Sequence, residues 1–249
     1  MSGLPAPAAV LTETDWAALE HAYGTAEDTP AMLTALLDAD LGVRSRALDH
    51  LDYAVHHQNT LYSATIPAAL YVAGVLADPR TMVPVDKKPH DFPGPLRTSL
   101  LGWLNSVVKE ADDEAEAIAR RHGFPPEEYP PFVQTRLIRP LLFPAVAACI
   151  DDPDLHVREA AIAACIPLLD DPRLLHHRAD LIPLLRETLA ASALWQFQDR
   201  AIEALAAWGE DISGLEVRRE AFEVCDGPSD TSSSADGKLA SSDAADLPF

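Results

Sequence analysis

Two stretches of this chain, 114 residues apart, repeat one another, and no other feature restricts the fold as much. Pro30 to Leu51 reads PAMLTALLDADLGVRSRALDHL and Pro144 to Cys165 reads PAVAACIDDPDLHVREAAIAAC. Aligned without a gap, Pro30, Ala31, Asp38, Asp40, Leu41, Val43, Arg44 and Ala47 recur as Pro144, Ala145, Asp152, Asp154, Leu155, Val157, Arg158 and Ala161, eight identities in twenty-two positions. The offset of 114 is three times 38, and periods of roughly 20 to 50 residues mark stacked structural repeats. Each unit reads as a helix opened by proline, an acidic turn, then a second helix. One such pair carries a single apolar stripe per helix and cannot bury it alone, so neighbouring pairs must stack.

Two weaker copies complete the pattern. IPAALYVAGVLADP, Ile66 to Pro79, reads as a first helix and PLRTSLLGWLNSVV, Pro95 to Val108, as its partner, with Arg97 standing where Arg44 stands. LIPLLRETLA and QDRAIEALAAWG make a last pair, with Gly209 placed to stop the helix. The repeats therefore lie near 30–57, 65–109, 144–166 and 180–209, within a helical body spanning 12–211. Period-two alternation and hairpin dipeptides between apolar runs are scarce, so the expected fold class is all-α.

The ends and interruptions follow from composition. TETDWAALEHAYG predicts an opening helix with Thr12 and Asp15 as a capping box, Trp16, Leu19 and Tyr23 on one face and Gly24 as its stop, which leaves 1–11 as a flexible N-terminus. Thr29 and Pro30 read as a cap followed by a first-turn proline. Asp78 to Pro95 holds five prolines and Gly123 to Pro131 four, which predicts two extended surface loops. Between them EADDEAEAIARRHG reads as a charged helix with Glu116 four residues before Arg120, so that 110–131 is a charged helix and a Pro-rich loop. A short helix is expected in 212–225, and 226–249, rich in Asp, Ser and Gly, reads as a disordered acidic tail.

Nineteen Lys and Arg stand against thirty-nine Asp and Glu, a net charge of −20. That balance opposes direct binding to nucleic acid or to an anionic membrane and favours a basic protein partner. The N-terminal sequence has no basic start, and nowhere do eighteen apolar residues run together, so neither export nor a membrane span is expected. Cys149, Cys165 and Cys225 form no CxxC pair, and the first two sit among apolar residues, which reads as reduced and cytoplasmic.

The pattern Asp-Xaa-Xaa-Val-Arg-Xaa-Xaa-Ala after a helix and an acidic turn resembles the second helix of HEAT repeats. The resemblance covers roughly Ala31 to Trp208 and implies an α-solenoid of HEAT-like helical hairpins. More narrowly, the run from LEHAYGTAEDTPAMLTALLDAD through HHQNTLYSATIPAALYV is similar to a group of bacterial HEAT-repeat proteins, including some regarded as immunity proteins that neutralise polymorphic toxins. That group usually has His-Gln-Gly-Thr where this chain has His57, Gln58, Asn59 and Thr60; Asn, like Gly, tolerates a left-handed backbone. A HEAT fold hosts many functions and does not by itself supply one.

Candidate chemistry is sparse. His50 and His57 are seven apart, on one face of a helix, but no third ligand with zinc spacing follows. No metal site is expected. His176 and His177 fall in a turn, where histidines are ordinary. Ser63 stands near His56 and His57, yet no nucleophile elbow or glycine-lined oxyanion loop accompanies it, and no cofactor-binding loop is present. No catalytic residue is assigned. Recurrence of Arg44 and Arg158 with Asp40 and Asp154, beside Val43 and Val157, points to a structural pair joining turn to helix. HHQNTLYSAT, His56 to Thr65, falls between two repeats with Thr65 as helix cap, and reads as a connector or as a contact site at one end of the array. The expected function is non-enzymatic binding of a basic protein, a toxin domain or an assembly subunit, by an acidic concave surface. Its contact residues would be Asp49, His50, Tyr53, His57, Gln58, Tyr62, Trp103, Asn105 and Lys109, with aromatics as anchors. A scaffold or regulatory subunit, and an enzyme using His56 to Thr65, are the alternatives.

Overall fold

The computed structural model describes residues 3–86 and 93–217. The expected acidic tail, Cys225, Lys87 and Lys88 all lie outside the described residues. Within them the chain is mostly helical, with ten α-helices, several one-turn 3₁₀ and π segments and one two-residue hairpin. No helix among them is long and apolar enough to cross a membrane.

The first difference from expectation is at the start. The opening helix is α1, Pro7–Glu13, which begins inside the segment 1–11 expected to be flexible. Pro7 suits a first turn, whose N–H groups have no intrahelical partner, and Val10 is buried. No helix spans 12–24: Thr12 donates back to the Ala8 carbonyl at 2.9 Å instead of capping forward. After a 3₁₀ turn at Trp16–Ala18, strands β1, Glu20–His21, and β2, Gly24–Thr25, form a hairpin. Gly24 takes φ +126° there, a conformation that strains any residue with a Cβ, so the glycine read as a helix stop is instead a turn residue. Trp16 is buried, as its apolar face predicted, but Tyr23 is 70% exposed.

Four helix pairs follow. α2, Thr29–Ala35, packs on α3, Leu41–His50; α4, Thr65–Val75, on α5, Leu96–Lys109; and α7, Pro130–Ala147, on α8, Leu155–Leu168. The last pair is α9, Arg178–Leu184, continued by a π turn at Leu185–Leu189, with α10, Trp195–Ala207. First helices adjoin in the row α2, α4, α7, and second helices in the row α5, α8, α10. α8 is the central element, with every residue from Glu159 to Leu168 buried, while α1 lies against α4. The contact with α1 is close: a Cβ on Gly74 of α4 would stand 2.8 Å from Pro7 Cγ. Gly74→Val should therefore lift α1 from α4 and lower stability by about 1–3 kcal/mol in a thermal melt; a melt identical to wild type would show that α1 adds nothing to the fold.

One turn geometry recurs between the paired helices. Asp40 caps α3 by accepting from the Val43 amide at 2.9 Å, the Asp38 carboxylate accepts from the Asp40 amide at 2.8 Å, and Arg44 Nη1 donates to the carbonyls of Asp38 and Ala39. The third pair repeats this in Asp154 accepting from His156 and Val157, Asp152 accepting from Asp154, and Arg158 donating to the carbonyls of Asp152 and Pro153. Each aspartate thus caps the second helix while each arginine holds carbonyls of the turn, so the two join turn to helix without bonding to one another. In the fourth pair Ser192 and Gln198 take these parts: Ser192 Oγ accepts from the Leu194 amide, and Gln198 Nε2 donates to the Ser192 carbonyl. In the second, Arg97 donates to the Asp78 carbonyl and the Thr81 hydroxyl across the inserted residues. Arg44 and Arg97 also reach onward, Arg44 Nη2 to the Pro84 carbonyl at 3.1 Å and Arg97 Nη1 to Asp152 Oδ2 at 2.6 Å. These bonds tie each of the first two pairs to the next.

Other elements also differ. Pro144 does not open a helix; the third first-helix begins fourteen residues earlier at Pro130 and runs through Pro140 and Pro144 to Ala147. Proline removes an amide from a helix interior but does not end it where packing holds both sides, and Pro140 and Val146 are buried. The insertions are not simply extended. Pro79–Met82 and Pro126–Glu128 are 3₁₀ turns, Asp78 accepts from the Arg80 amide, and Pro130 and Pro131 belong to α7. The charged helix is present as α6, Asp113–Arg121, with Arg120 paired to Glu116 at 2.8 Å. Gly209 follows α10 with φ +79°, as a helix-stop glycine should. Residues 212–217 form turns and not the expected short helix, whose remainder lies outside the described residues.

Candidate functional site

The segment His56 to Thr65 is built around the end of α3. There the helix widens into a π turn, Leu51–Val55, whose Leu51 carbonyl accepts from the His56 amide at 3.0 Å and from the Trp103 indole at 3.1 Å. Trp103 is 5% exposed, so it belongs to the core and is not the surface anchor expected of it. It follows Leu100 by three positions and precedes Leu104 by one, which puts it in the inward stripe of α5. The next turn of α5 brings Ser106, whose hydroxyl lies 3.0 Å from His56 Nε2.

The protonation of His56 follows from its partners. Nδ1 lies 3.2 Å from the Thr60 carbonyl, which can only accept, so Nδ1 carries the proton and Nε2 is the acceptor for Ser106. The ring is 4% exposed, and burial lowers its pKa to about 4. Beyond it Gln58 and Asn59 take φ +48° and +59°, two consecutive left-handed residues without a glycine. Asn59 fits the tolerance read from the sequence; Gln58 was not anticipated. Asn59 Oδ1 comes within 3.5 Å of Ser106 Oγ. Thr65 does not cap α4 forward. Its hydroxyl donates to the Val55 carbonyl at 2.6 Å and accepts from the Tyr62 amide at 2.9 Å, pinning the segment's base. Ser63 bonds to the Glu20 backbone and is not engaged with either histidine. The tip of the segment meets the hairpin: the His57 ring packs on Tyr23 at 5.7 Å, and its Nδ1 is buried without a hydrogen-bond partner.

His50 was expected on the surface, but its side chain is 9% exposed. It meets His21 and Asp28, and the potential ligand atoms of the three lie within 4.8 Å of one another. The spacing suits a metal, but the hydrogen bonds do not. The Tyr23 amide donates to His21 Nδ1 at 3.1 Å, so the neutral ring carries its proton on Nε2, 3.0 Å from Asp28 Oδ1. That leaves His21 no lone pair to give a cation. His50 Nε2 meets the Thr29 hydroxyl at 3.0 Å, and burial pulls its pKa below the ordinary value against the raising effect of Asp28. The trio reads as a polar clamp of the hairpin on α2 and α3.

The remaining expected contact residues divide into two places. Tyr53 is 50% exposed, Asp49 and Tyr62 are half-buried and Gln58 is exposed, all around the end of α3. Asn105 and Lys109 instead line hollows on α5. A groove of about 480 Å³ runs between the end of α5, α6 and α10, with five carboxylates (Glu110, Asp112, Glu114, Asp199, Glu203) and two cations, Lys109 and Arg200. Lys109 is already committed to Asp112 at 3.6 Å and Glu114 at 3.3 Å. Glu110 is half-buried; burial, then Asp112, raises its pKa above the usual carboxylate range. Trp195, 37% exposed, and Ile118, 41% exposed, add apolar surface. A smaller hollow, about 70 Å³, adjoins through Gln196 and Arg200; Gly102, Ala160 and Ala163 are among its lining residues, and Asn105 Oδ1 there is buried without a hydrogen-bond partner. The groove was legible in the sequence only as net charge, because its carboxylates come from helices nearly a hundred residues apart.

Compared with protein families, with curated proteins and with solved structures, the chain finds no match in any of the three.

Proposed function

We propose that this chain is a HEAT-like α-solenoid that binds one basic protein through the acidic groove of α5, α6 and α10. The observation that carries the reading is the charge of that groove, five carboxylates against two cations, beside the exposed indole of Trp195. A half-buried carboxylate such as Glu110, with its pKa raised by burial and by Asp112, gains from a cation placed beside it. The groove lining contains no Ser, Thr, Cys or His, so it offers neither a hydroxyl or thiol nucleophile nor an imidazole base. The overall charge of −20 steers a basic partner toward it. A toxin domain neutralised by this chain fits the description, and a basic subunit of a larger assembly fits the same chemistry. The cytoplasm is the compartment the reduced thiols suit.

The test is capture of the partner from native extract at low and at high salt, by the wild-type chain and by a Glu110→Lys, Glu203→Lys variant. Binding should fall with salt, and the variant should bind at least about tenfold more weakly, mainly through slower association. A partner held equally by both chains, or indifferent to salt, would move the interface away from the groove. A captured protein that is toxic when expressed alone distinguishes neutralisation from assembly.

A further inference from the structure

The segment at the end of α3 gathers irregularities that the binding reading does not use. A π turn, two consecutive left-handed residues and a buried histidine fall within nine residues, Leu51 to Asn59. Backbone strain of this kind concentrates where a side chain must be held for chemistry. What it holds here is a serine against an imidazole. Ser106 Oγ is 3.0 Å from His56 Nε2, and His56 Nδ1 is fixed by the Thr60 carbonyl at 3.2 Å. The hydroxyl has one proton, and the closer bond takes it. Nucleophile, base and orienting acceptor are therefore in series, with the base in the tautomer that can receive a proton. The exposed Asn59 lies beside the pair, its Oδ1 3.5 Å from Ser106 Oγ. Ser106 is only half-buried and Asn59 is exposed, so a small reagent can reach the hydroxyl.

We propose that Ser106 is a nucleophile activated by His56, and that the site accepts an acyl group from a small carboxylic ester. In the first step the Oγ–C bond forms while the hydroxyl proton passes to His56 Nε2. Collapse of the tetrahedral intermediate breaks the ester C–O bond, and the leaving alkoxide takes that proton, leaving Ser106 acylated. Water then repeats the sequence, giving its proton to Nε2 and returning it to Ser106 Oγ as the acid departs.

The wild-type chain treated with a fluorophosphonate, which forms an Oγ–P bond and expels fluoride, should gain one adduct, mapped by mass spectrometry to Ser106. Labelling should be lost in Ser106→Ala and unchanged in Ser63→Ala. His56→Gln, which keeps a donor and an acceptor at the position, should label at least about a hundredfold more slowly at an unchanged circular dichroism spectrum. Because burial lowers the imidazole pKa to about 4, the labelling rate should stay level from pH 8 to near pH 5 and fall below that. Absence of an adduct on Ser106, or an adduct forming no faster than on Ser63 in the same chain, would overturn the proposal and leave the Ser106–His56 bond a purely structural tie. Both readouts come from the wild-type chain, so they hold even if a variant folds poorly.

Discussion

Arg97→Ala should destabilise the fold by about 3–5 kcal/mol, the largest loss expected from any single side chain outside the apolar core. Arg97 Nη1 meets Asp152 Oδ2 at 2.6 Å, and the two side chains are 12% and 6% exposed. The guanidinium is also bonded to the Thr81 hydroxyl at 2.9 Å and to the Asp78 carbonyl at 3.2 Å, while Asp152 Oδ1 accepts from the Asp154 amide at 3.0 Å. Every arm of the pair is therefore satisfied, and one residue joins the second helix pair to the turn of the third. Truncation leaves a carboxylate buried without its cation, and the cost is dominated by that unpaired charge rather than by the bond itself. Arg97→Met with Asp152→Leu, which removes both charges, should lose much less. Equilibrium urea unfolding of the two variants checks this: equal losses would mean that the turn geometry, and not the buried charge, is what Arg97 supplies.

Acid should weaken the protein through His56. Its pKa in the folded chain is about 4, against an ordinary 6.5, so below pH 6.5 the unfolded chain binds a proton that the folded chain refuses. The stabilisation is complete above about pH 6.5 and disappears as pH falls toward 4. Over that interval the linkage amounts to roughly 3 kcal/mol. His50, also held below its ordinary value by burial, acts in the same direction. His56→Gln removes the titration while keeping a donor for Thr60 and an acceptor for Ser106. Unfolding free energy measured from pH 7 to pH 4 should slope less in the variant than in wild type; parallel slopes would show that His56 is protonated in the native state.

The turn chemistry was legible because it is local. Asp40 reaches the Val43 amide three residues on and Arg44 reaches back six to the Asp38 carbonyl, so the sequence repeats whatever the geometry repeats. The same turn in the fourth pair escaped notice because Ser192 and Gln198 supply the same bonds with different side chains. The opening segment misled for a related reason: a capping-box pattern and an apolar face are local signals, and they were outweighed by a turn at Gly24 and by docking of the hairpin through the Ala22 amide onto the Ala54 carbonyl at 3.0 Å. Sites assembled from distant residues left no local trace. Ser106 and His56 are fifty residues apart, His21 and His50 twenty-nine, and nothing in either neighbourhood of sequence announces the other. Trp103 lies inward and not on the open face expected of an aromatic on a second helix, because its neighbours Leu100 and Leu104 mark the inward stripe.

The same bonds that secure the second turn make it a port for added length. Six residues separate Asp38 from Arg44, and Asp152 from Arg158, whereas nineteen separate Asp78 from Arg97. The added residues lie between Val83 and Leu96, where the Leu96 amide donates to the Val83 carbonyl at 2.9 Å and Arg97 grips Thr81. A loop clasped at its neck lengthens cheaply, by about 0.6 kcal/mol for each doubling. Foreign peptide grafted there would be displayed by the protein without becoming part of its architecture.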